Sequence, residues 1–375
     1  MNIQPIHIET SGPGIDLSHA PSGLSIDMSD PVQDFEYARN AVTLTYDLTA
    51  YEQLRLTFEA KEYGDEPHAP PPNPFAGDAN FDGVAISADG VDWYEVQDLR
   101  HLRSDRFTSY ELDLDAAIAQ WGLSYSSAFR IRFCQYDNNP ALMDGIFIRN
   151  IELTGEFPGL YIHLPMDDNA ADSTVHDASP ALRHQTFIDP GGNPNTAAHS
   201  VSGVIASALQ FDGVDDRIDF GADFAIDLFA EGHDFTIAVW IQNPTAVSDV
   251  VYALSKHTIE IKYEPSNGGR TVMQLYNGTV NRFLIMPGTL DGSFHHYTIM
   301  RQGTTIEHWY DGIKRYANTN PDNDGDFSNP TESMRLGMRH NGWGPYQGAV
   351  DDFRVYDRAL TPDEIQTLFN MRADG

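Results

Sequence analysis

The sequence predicts an all-β protein made of two antiparallel β-sandwich domains in tandem, with a short C-terminal helix. Short runs rich in β-branched and aromatic residues recur along the chain, separated by turn residues, as in VTLTYDL (42–48) and FTIAVWIQ (235–242). Strands do not alternate regularly with helices, so a parallel α/β sheet is excluded. At 375 residues the chain is long for one core and suits two.

The remaining strand-like runs lie on both sides of a Pro- and Gly-containing break, GEFPG (155–159), where we place the domain boundary. The predicted domains are therefore residues 1–157 and 158–375. The runs used are LRLTFEA (54–60), GVAISA (83–88), FRIRFCQY (129–136), GIFIRNIEL (145–153), IEIKYE (259–264), TVMQLYN (271–277), RFLIMPG (282–288), HHYTIMRQ (295–302), TIEHWYDG (305–312), SMRLGMRH (333–340) and AVDDFRVYD (349–357).

Two segments have helical patterns, DLDAAIAQWG (113–122) and TPDEIQTLFNMR (361–372). In the second, Thr361 is a suitable N-cap, Pro362 fits the first helical position, and the acidic residues that follow favour the positive end of the helix. The sequence therefore predicts one helix within each domain, the second of them at the C-terminus.

Acidic residues dominate the charge of the chain: 55 Asp and Glu stand against 23 Lys and Arg, for a formal net charge of -32. This balance argues against nucleic acid and anionic membrane as partners, because phosphate binding needs clustered cations. It is compatible with cation binding or with a simple solvated acidic surface. No run approaches the roughly 20 apolar residues of a membrane helix. The first residues lack a signal-peptide pattern, so we expect that an export signal has been removed, that the chain is a piece of a longer one, or that it is exported by another route.

One stretch, LQFDGVDDRIDFG (209–221), has the ends of a buried strand but contains four aspartates. Like charges this close repel one another. Either they extend into water or a cation offsets their repulsion.

From about residue 160 to 371 the sequence resembles the laminin-G-like, concanavalin A-like jelly rolls of extracellular proteins. The resemblance rests on several pieces in the family's order: LPMDDNAADS (164–173), LQFDGVDDRIDFG (209–221), FTIAVWIQ (235–242), FHHYTIMRQGTTIEHWYDGIKR (294–315) and RLGMRHNGWGPYQGAVDDFRVYDRALTPDEIQTLF (335–369). The resemblance implies a jelly roll and an extracellular or cell-surface location.

The same resemblance implies a calcium ion at the sandwich rim, between the FDG strand and the closing strand. By position, the implied ligands are Asp212, Asp215 and Asp351, with Asp216 as a substitute. Calcium takes six to eight oxygen ligands and accepts carboxylates mixed with carbonyls. The alternative is that Asp212 caps a turn and Asp351 accepts from backbone amides, with no ion.

Residues 1–157 resemble, less closely, the MAM-like or galactose-binding-like jelly rolls of secreted bacterial proteins. The pieces are ANFDGVAISADGVDWYEV (79–96) and FRIRFCQYDNNPALMDGIFIRNIEL (129–153). The family pattern ends in an Asp-Asp pair where this chain has Arg149 and Asn150, which weakens the case for a second calcium site. Weaker metal candidates in this half are Asp78, Asp82 and Asp144.

We expect no catalytic activity. Laminarinase-type glycosidases place Glu-x-Asp-x-x-Glu on one strand, and the nearest match, IEIKYE, has Lys262 between Glu260 and Glu264. His295 and His296 point to opposite faces of one strand, so both cannot bind one metal there.

The loop HNGWGPYQG (340–348) supplies the ligand-binding candidates Trp343, Tyr346, Asn341 and Gln347, because exposed aromatics stack on sugar rings and amides hydrogen-bond to them. Tyr346 is alternatively a packing residue. The sequence thus favours a non-catalytic extracellular recognition or adhesion protein that binds a glycan, with calcium as cofactor. A protein surface or a second copy as partner, in a surface layer, sheath or appendage, and an accessory region of a polysaccharide-degrading enzyme remain alternatives.

Overall fold

The computed structural model describes residues 3–12, 15–20, 23–29, 38–63, 68–137 and 145–371. The chain divides into two compact units, Met1–Pro158 and Gly159–Gly375. Each is an antiparallel β-sandwich, which confirms the predicted fold class.

The first unit packs two sheets against each other, with strand orders β1-β4-β10-β7-β8-β6 and β2-β3-β11-β5-β9. Its elements are β1 (His7–Ser11), β2 (Ile15–Ala20), β3 (Gly23–Ser29), β4 (Ala38–Tyr46), β5 (Glu52–Glu62), β6 (Phe75–Ala76), β7 (Gly83–Ser87), β8 (Asp92–Asp98), β9 (Thr108–Asp113), α1 (Leu114–Trp121), β10 (Phe129–Asp137) and β11 (Gly145–Glu156).

Alternation along β5 explains how this unit forms its core. Leu54, Leu56, Phe58 and Ala60 are buried, while the residues between them are half-buried on the other face. Cys134 is buried as expected of a small apolar residue, and burial raises the pKa of its thiol to about 12.

The second unit has two larger sheets. One has the order β15-β16-β27-β18-β23-β24-β25, with β12 also paired to β27, and the other has the order β13-β14-β17-β26-β19-β20-β21-β22. The elements are β12 (Leu160–Leu164), β13 (Thr174–Val175), β14 (Gln185–Ile188), α2 (Thr196–His199), β15 (Ser200–Ser202), β16 (Ser207–Asp212), β17 (Arg217–Gly221), β18 (Phe235–Gln242), β19 (Val251–Ser255), β20 (Ile259–Glu264), β21 (Arg270–Tyr276), β22 (Asn281–Pro287), β23 (Phe294–Gln302), β24 (Thr305–Tyr310), β25 (Ile313–Thr319), β26 (Met334–Leu336), β27 (Gln347–Tyr356) and α3 (Pro362–Asn370), with 3₁₀ turns at Ser266–Gly268 and Pro321–Asp324.

Helix α3 covers the outer face of the first of these sheets. Ile237 and Val239 of β18 point into the core, whereas Trp240 points outward and stacks on Phe369, with ring centroids 5.6 Å apart. Thr361 caps the helix with the predicted geometry, as part of a reciprocal capping box with Glu364. Burial on both faces is why β18 is apolar almost throughout.

The predicted strand at 333–340 is wrong beyond its first half, because β26 ends at Leu336. Gly337 follows with φ of 93°, and a Cβ there would lie 2.4 Å from the Phe211 ring and 2.6 Å from the Asp216 carbonyl oxygen. Only glycine tolerates both the backbone angle and this close approach. The chain then leaves the sheet and forms the loop that carries Trp343.

No helix in the described part of the chain is long and apolar enough to cross a bilayer.

Candidate binding rim of the second unit

Three of the four predicted calcium ligands lie together at one rim of the second unit. Asp212, Asp215 and Asp216 follow one another in the turn from β16 to β17, and one carboxylate oxygen from each lies within 4.8 Å of the others. Gly213, with φ of 81°, allows the tight path, and the Asp212 carboxylate accepts from the Val214 N–H at 2.7 Å. The carboxylates are therefore brought together by local chain geometry.

Asp216 is the buried member of this cluster. Its side chain is 1% exposed; Oδ2 accepts from the Asp212 N–H at 2.8 Å, while Oδ1 is buried with no hydrogen-bond partner. Burial raises the pKa of Asp216 to about 6; the Asp212 N–H and His199 oppose the rise, and the charges of Asp212 and Asp189 add to it. A buried carboxylate oxygen without a donor is where a cation would be favoured.

The sequence did not indicate that Asp189 and His199 lie at this rim. Together with Asp216 they form a second group of possible metal ligands. The ligand atoms of Asp189, His199 and Asp216 also lie within 4.8 Å of one another. His199 Nδ1 is 3.1 Å from the Gln210 carbonyl oxygen, and Nε2 is 2.8 Å from that of Asn193. Both ring nitrogens of His199 therefore lie against backbone carbonyl oxygens, which fix the orientation of the ring beside Asp216. The turn sequence DPGGN (189–193) was the one available signal.

Asp351 does not join the cluster, contrary to the predicted ligand set. The register pairs Asp212 with Gln347, so Asp351 lies four residues farther along β27, roughly 13 Å away along the strand. Its Oδ2 accepts from the N–H groups of Val204 and Ile205 at 2.7 and 2.9 Å, which is the backbone-binding alternative. Its Oδ1 is buried with no partner, and burial raises the pKa of Asp351 to about 8.

A groove of about 480 Å³ opens beside the aspartate turn. The chain after β18 and the start of β27 form its other walls. Amide and hydroxyl side chains line it, contributed by Gln210, Gln242, Thr245, Ser248 and Gln347. Gln210 and Gln347 are exposed, so their amides face solvent where a ligand would enter.

Buried tyrosines hold the floor of the groove in place. Asn243, which also lines the groove, accepts from the hydroxyls of Tyr263 at 2.9 Å and Tyr297 at 2.5 Å. Tyr346 donates to the Gln242 carbonyl and lies 3.2 Å from that of Ala349. A floor fixed in this way is pre-organised for binding.

The structure places Tyr346 in the core, so its ring cannot stack on a ligand. Its side chain is 0% exposed, and burial raises its pKa well above the usual range. The packing alternative therefore holds, because the ring lies between Phe211 and Tyr263 of the two facing sheets.

Trp343, three residues earlier, is 74% exposed. It closes a tight hairpin in which the Arg339 N–H donates to the Trp343 carbonyl at 2.9 Å and the Gly342 N–H donates to the Arg339 carbonyl at 2.8 Å. Asn341 is exposed, and its Oδ1 lies 3.3 Å from the Trp343 N–H, so it shapes this turn. The loop then reaches Pro345, which lines the groove.

Arg339 anchors this hairpin to the outer face of β19 and β20. Its guanidinium lies 5.3 Å from the centre of the Tyr252 ring, and its Nε is 3.5 Å from Glu260 Oε1. Next to it, His340 packs edge-on against His257 with ring centroids 4.9 Å apart. The loop that carries the exposed Trp343 is thus fixed to the sheet by Arg339 and His340.

Ion pairs occupy the carboxylates considered for glycosidase chemistry. Glu260 is 3% exposed, and Lys262 Nζ lies 3.2 Å from its Oε2. Glu264 accepts from Arg270 at 2.8 Å. Neither carboxylate is placed as a free acid or nucleophile.

The weaker candidates of the first unit do not form a cluster among the described residues. Asp82 is buried; Oδ1 accepts from the Tyr136 N–H at 2.9 Å and Oδ2 lies 3.1 Å from His68 Nδ1. Asp78 lies on the surface near Arg132, at 3.6 Å. Both carboxylates thus have protein partners, and Asp144 lies outside the described residues.

Comparison with protein families identifies part of the second unit. Residues 212–366 match the model of the concanavalin A-like lectin/glucanases superfamily. No curated protein matches the chain. This match confirms the family resemblance of the second half.

Three solved structures illustrate the fold similarity. Domain 4 of an extracellular GH43 arabinanase from Geobacillus stearothermophilus, in complex with arabinotriose, is 17% identical with a TM-score of 0.42, covering 56% of this chain and 98% of that one. The receptor binding domain of botulinum neurotoxin D is 12% identical with a TM-score of 0.43, covering 56% and 52%. The binding domain of Paraclostridial Mosquitocidal Protein 1 is 18% identical with a TM-score of 0.41, covering 55% and 52%, so the chain spans about half the length of either toxin domain.

Similarity at this level assigns no function. The family match and the sandwich sheets nonetheless agree on the second unit, whose closing strand β27 and the first turn of α3 fall inside the matched range. Residues 212–366 of the second unit match the family model of the concanavalin A-like lectin/glucanases superfamily and have an antiparallel sandwich fold.

Proposed function

We propose that this chain is a non-catalytic recognition protein that binds a glycan through the rim of its second unit, outside the cell or at the cell surface. The observation that carries the proposal is the exposure of Trp343. Its side chain is 74% exposed on a hairpin that Arg339 anchors, and the chain continues from this hairpin into an amide-lined groove. Sugar rings can stack on the face of an indole exposed in this way. Gln210 and Gln347 supply donors and acceptors for sugar hydroxyls.

The superfamily description covers both lectins and glucanases, so binding and hydrolysis have to be weighed against each other. The salt bridges of Glu260 and Glu264 favour binding. Glycosidases need one free carboxylic acid and one free carboxylate flanking the scissile bond. Here Lys262 and Arg270 form salt bridges with these two carboxylates.

A glycan array probed with the full chain tests the proposal, followed by titration of the best probe against Trp343→Ala. Loss of one stacking contact, worth about 1 kcal/mol, should weaken binding roughly fivefold without lowering the melting temperature. Phe283→Ala is the matched control, because Phe283 is an exposed aromatic, 45% exposed, on β22. Equal losses in both variants, or no bound glycan, would contradict the proposal.

We further propose that Asp212, Asp215 and Asp216 hold a calcium ion that stabilises this rim. The unpartnered, buried Oδ1 of Asp216 supports it, together with two neighbouring carboxylates. The ion would offset the repulsion among the three charges and leave room for backbone carbonyl or water ligands.

Thermal unfolding with calcium and with chelator tests this second proposal. An ion present at a hundred times its Kd adds about 2.7 kcal/mol of stability to the native state. Asp216→Asn should remove most of the calcium-dependent shift. Asp227→Asn, at an exposed aspartate of the same unit, should leave it unchanged. A melting temperature that is insensitive to calcium in the parent chain would exclude the ion.

A further inference from the structure

The lining of the groove is electrically neutral. None of the 14 described residues that line it is Asp, Glu, Lys, Arg or His. The polar groups are amides and hydroxyls, and Val247, Val251 and Pro345 add apolar surface. Such a lining can hydrogen-bond to hydroxyls and cover a sugar ring, but it offers no charged partner to an ionised substituent.

Three carboxylates belong to residues that directly adjoin groove-lining residues in the chain. Asp212 precedes the lining residue Gly213, Asp249 follows Ser248, and Asp291 precedes Gly292. Asp212 and Asp249 are exposed, and the Asp291 side chain is 46% exposed. The cations near this rim are already engaged: Arg217 donates to the Asp215 carbonyl at 3.1 Å, and His295 is bound between Asp291 and Asp311.

A carboxylated or sulfated sugar in this groove would meet no cation within the lining, and carboxylates stand on three of the segments that form it. Burying its charge there costs solvation that nothing restores. A calcium ion at the aspartate turn would reduce the repulsion from only one of these segments, since Asp249 and Asp291 lie on the others. An amino sugar would gain only water-screened attraction from these carboxylates, which does not offset the solvation that its ammonium group loses in a lining with no carboxylate to pair with it.

From this charge distribution we infer that the groove selects uncharged glycans and discriminates against anionic ones. The inference rests on the proposed glycan-binding function and specifies its ligand class. Repulsion from these neighbouring carboxylates should weaken binding of an acidic ligand roughly tenfold relative to its neutral counterpart.

The test compares pairs of glycans in which one member is charged and the other is neutral, using the full chain in buffer with calcium. The probes are galacturonan oligosaccharides with and without methyl esters, sialylated and desialylated oligosaccharides, and oligomers of N-acetylglucosamine and glucosamine. Preference for the neutral member of the pairs that bind supports the inference. Equal or tighter binding of the acidic or the amino member overturns it and leaves glycan binding intact, whereas no binding to any probe overturns the proposed function itself.

Two charge variants locate the selectivity in the groove. Gln347→Lys places a cation in the lining and should improve binding of acidic probes at least roughly threefold. Gln302→Lys adds the same charge to an exposed residue at the opposite end of β23 from its groove-side start, and should change acidic binding little. Equal gains in both variants would assign the selectivity to net charge alone and overturn the role of the groove.

Discussion

Replacing Asp351 by asparagine should stabilise the second unit at neutral pH in the absence of metal. Burial holds the pKa of Asp351 at about 8, with the charges of Asp352 and Asp167 adding to the rise and the N–H groups of Ile205 and Val204 opposing it. In the unfolded chain a carboxyl titrates near 3.9. Folding at pH 7 therefore takes up a proton, and the native state loses stability as the pH rises from about 4 to about 8.

The magnitude follows from this difference in proton uptake. Each pH unit between the two pKa values costs about 1.4 kcal/mol, so the parent chain should lose about 3 kcal/mol between pH 5 and pH 7.5 from this carboxyl alone. Asparagine keeps an oxygen for the Val204 and Ile205 N–H groups and carries no ionisable group. The stability difference between variant and parent should therefore grow by about 3 kcal/mol over that pH range.

Urea unfolding of the full chain with chelator at pH 5 and pH 7.5 measures the difference. The transition that moves with the substitution belongs to the second unit. Asp227→Asn controls for loss of one surface charge. An equal difference between variant and parent at both pH values would refute the reasoning. If calcium restores the parent chain but not Asp351→Asn, then Asp351 itself holds an ion, apart from the aspartate turn.

Two further substitutions test the buried polar groups of the same unit. Burial lowers the pKa of His308 to about 3, so this side chain stays neutral in the folded state but binds a proton in the unfolded state below about pH 6.5. In urea unfolding, the stability of His308→Leu relative to the parent chain should therefore rise by about 2.5 kcal/mol as the pH falls from about 7 to about 4.5. A pH-independent difference would contradict this. Tyr346→Phe removes the hydroxyl that lies against the carbonyls of Gln242 and Ala349, and should lower the free energy of unfolding by about 1–2 kcal/mol in thermal unfolding. Weaker glycan binding at unchanged stability would instead mean that Tyr346 contacts the ligand directly.

Features set by neighbouring residues were predictable from the sequence. The alternation along β5, the apolar run of β18 and the Thr361 capping box all encode local structure, and each forms as expected. The aspartate turn belongs to the same class, because Asp212 and Asp216 are four residues apart and Gly213 closes the path between them. The family resemblance extended these local signals to a jelly roll.

What the tertiary structure decided depends on contacts between distant segments. Register, which periodicity does not reveal, separates Asp351 from Asp212, and a second loop brings Asp189 and His199 to Asp216. Within one loop, Tyr346 is buried between the two sheets, whereas Trp343 is exposed to solvent. Sequence alone determined the strands, the capped helix and the clustered charges, because these follow from local spacing. Burial, register and the groove required the assembled sheets, because each is a property of residues far apart in the chain.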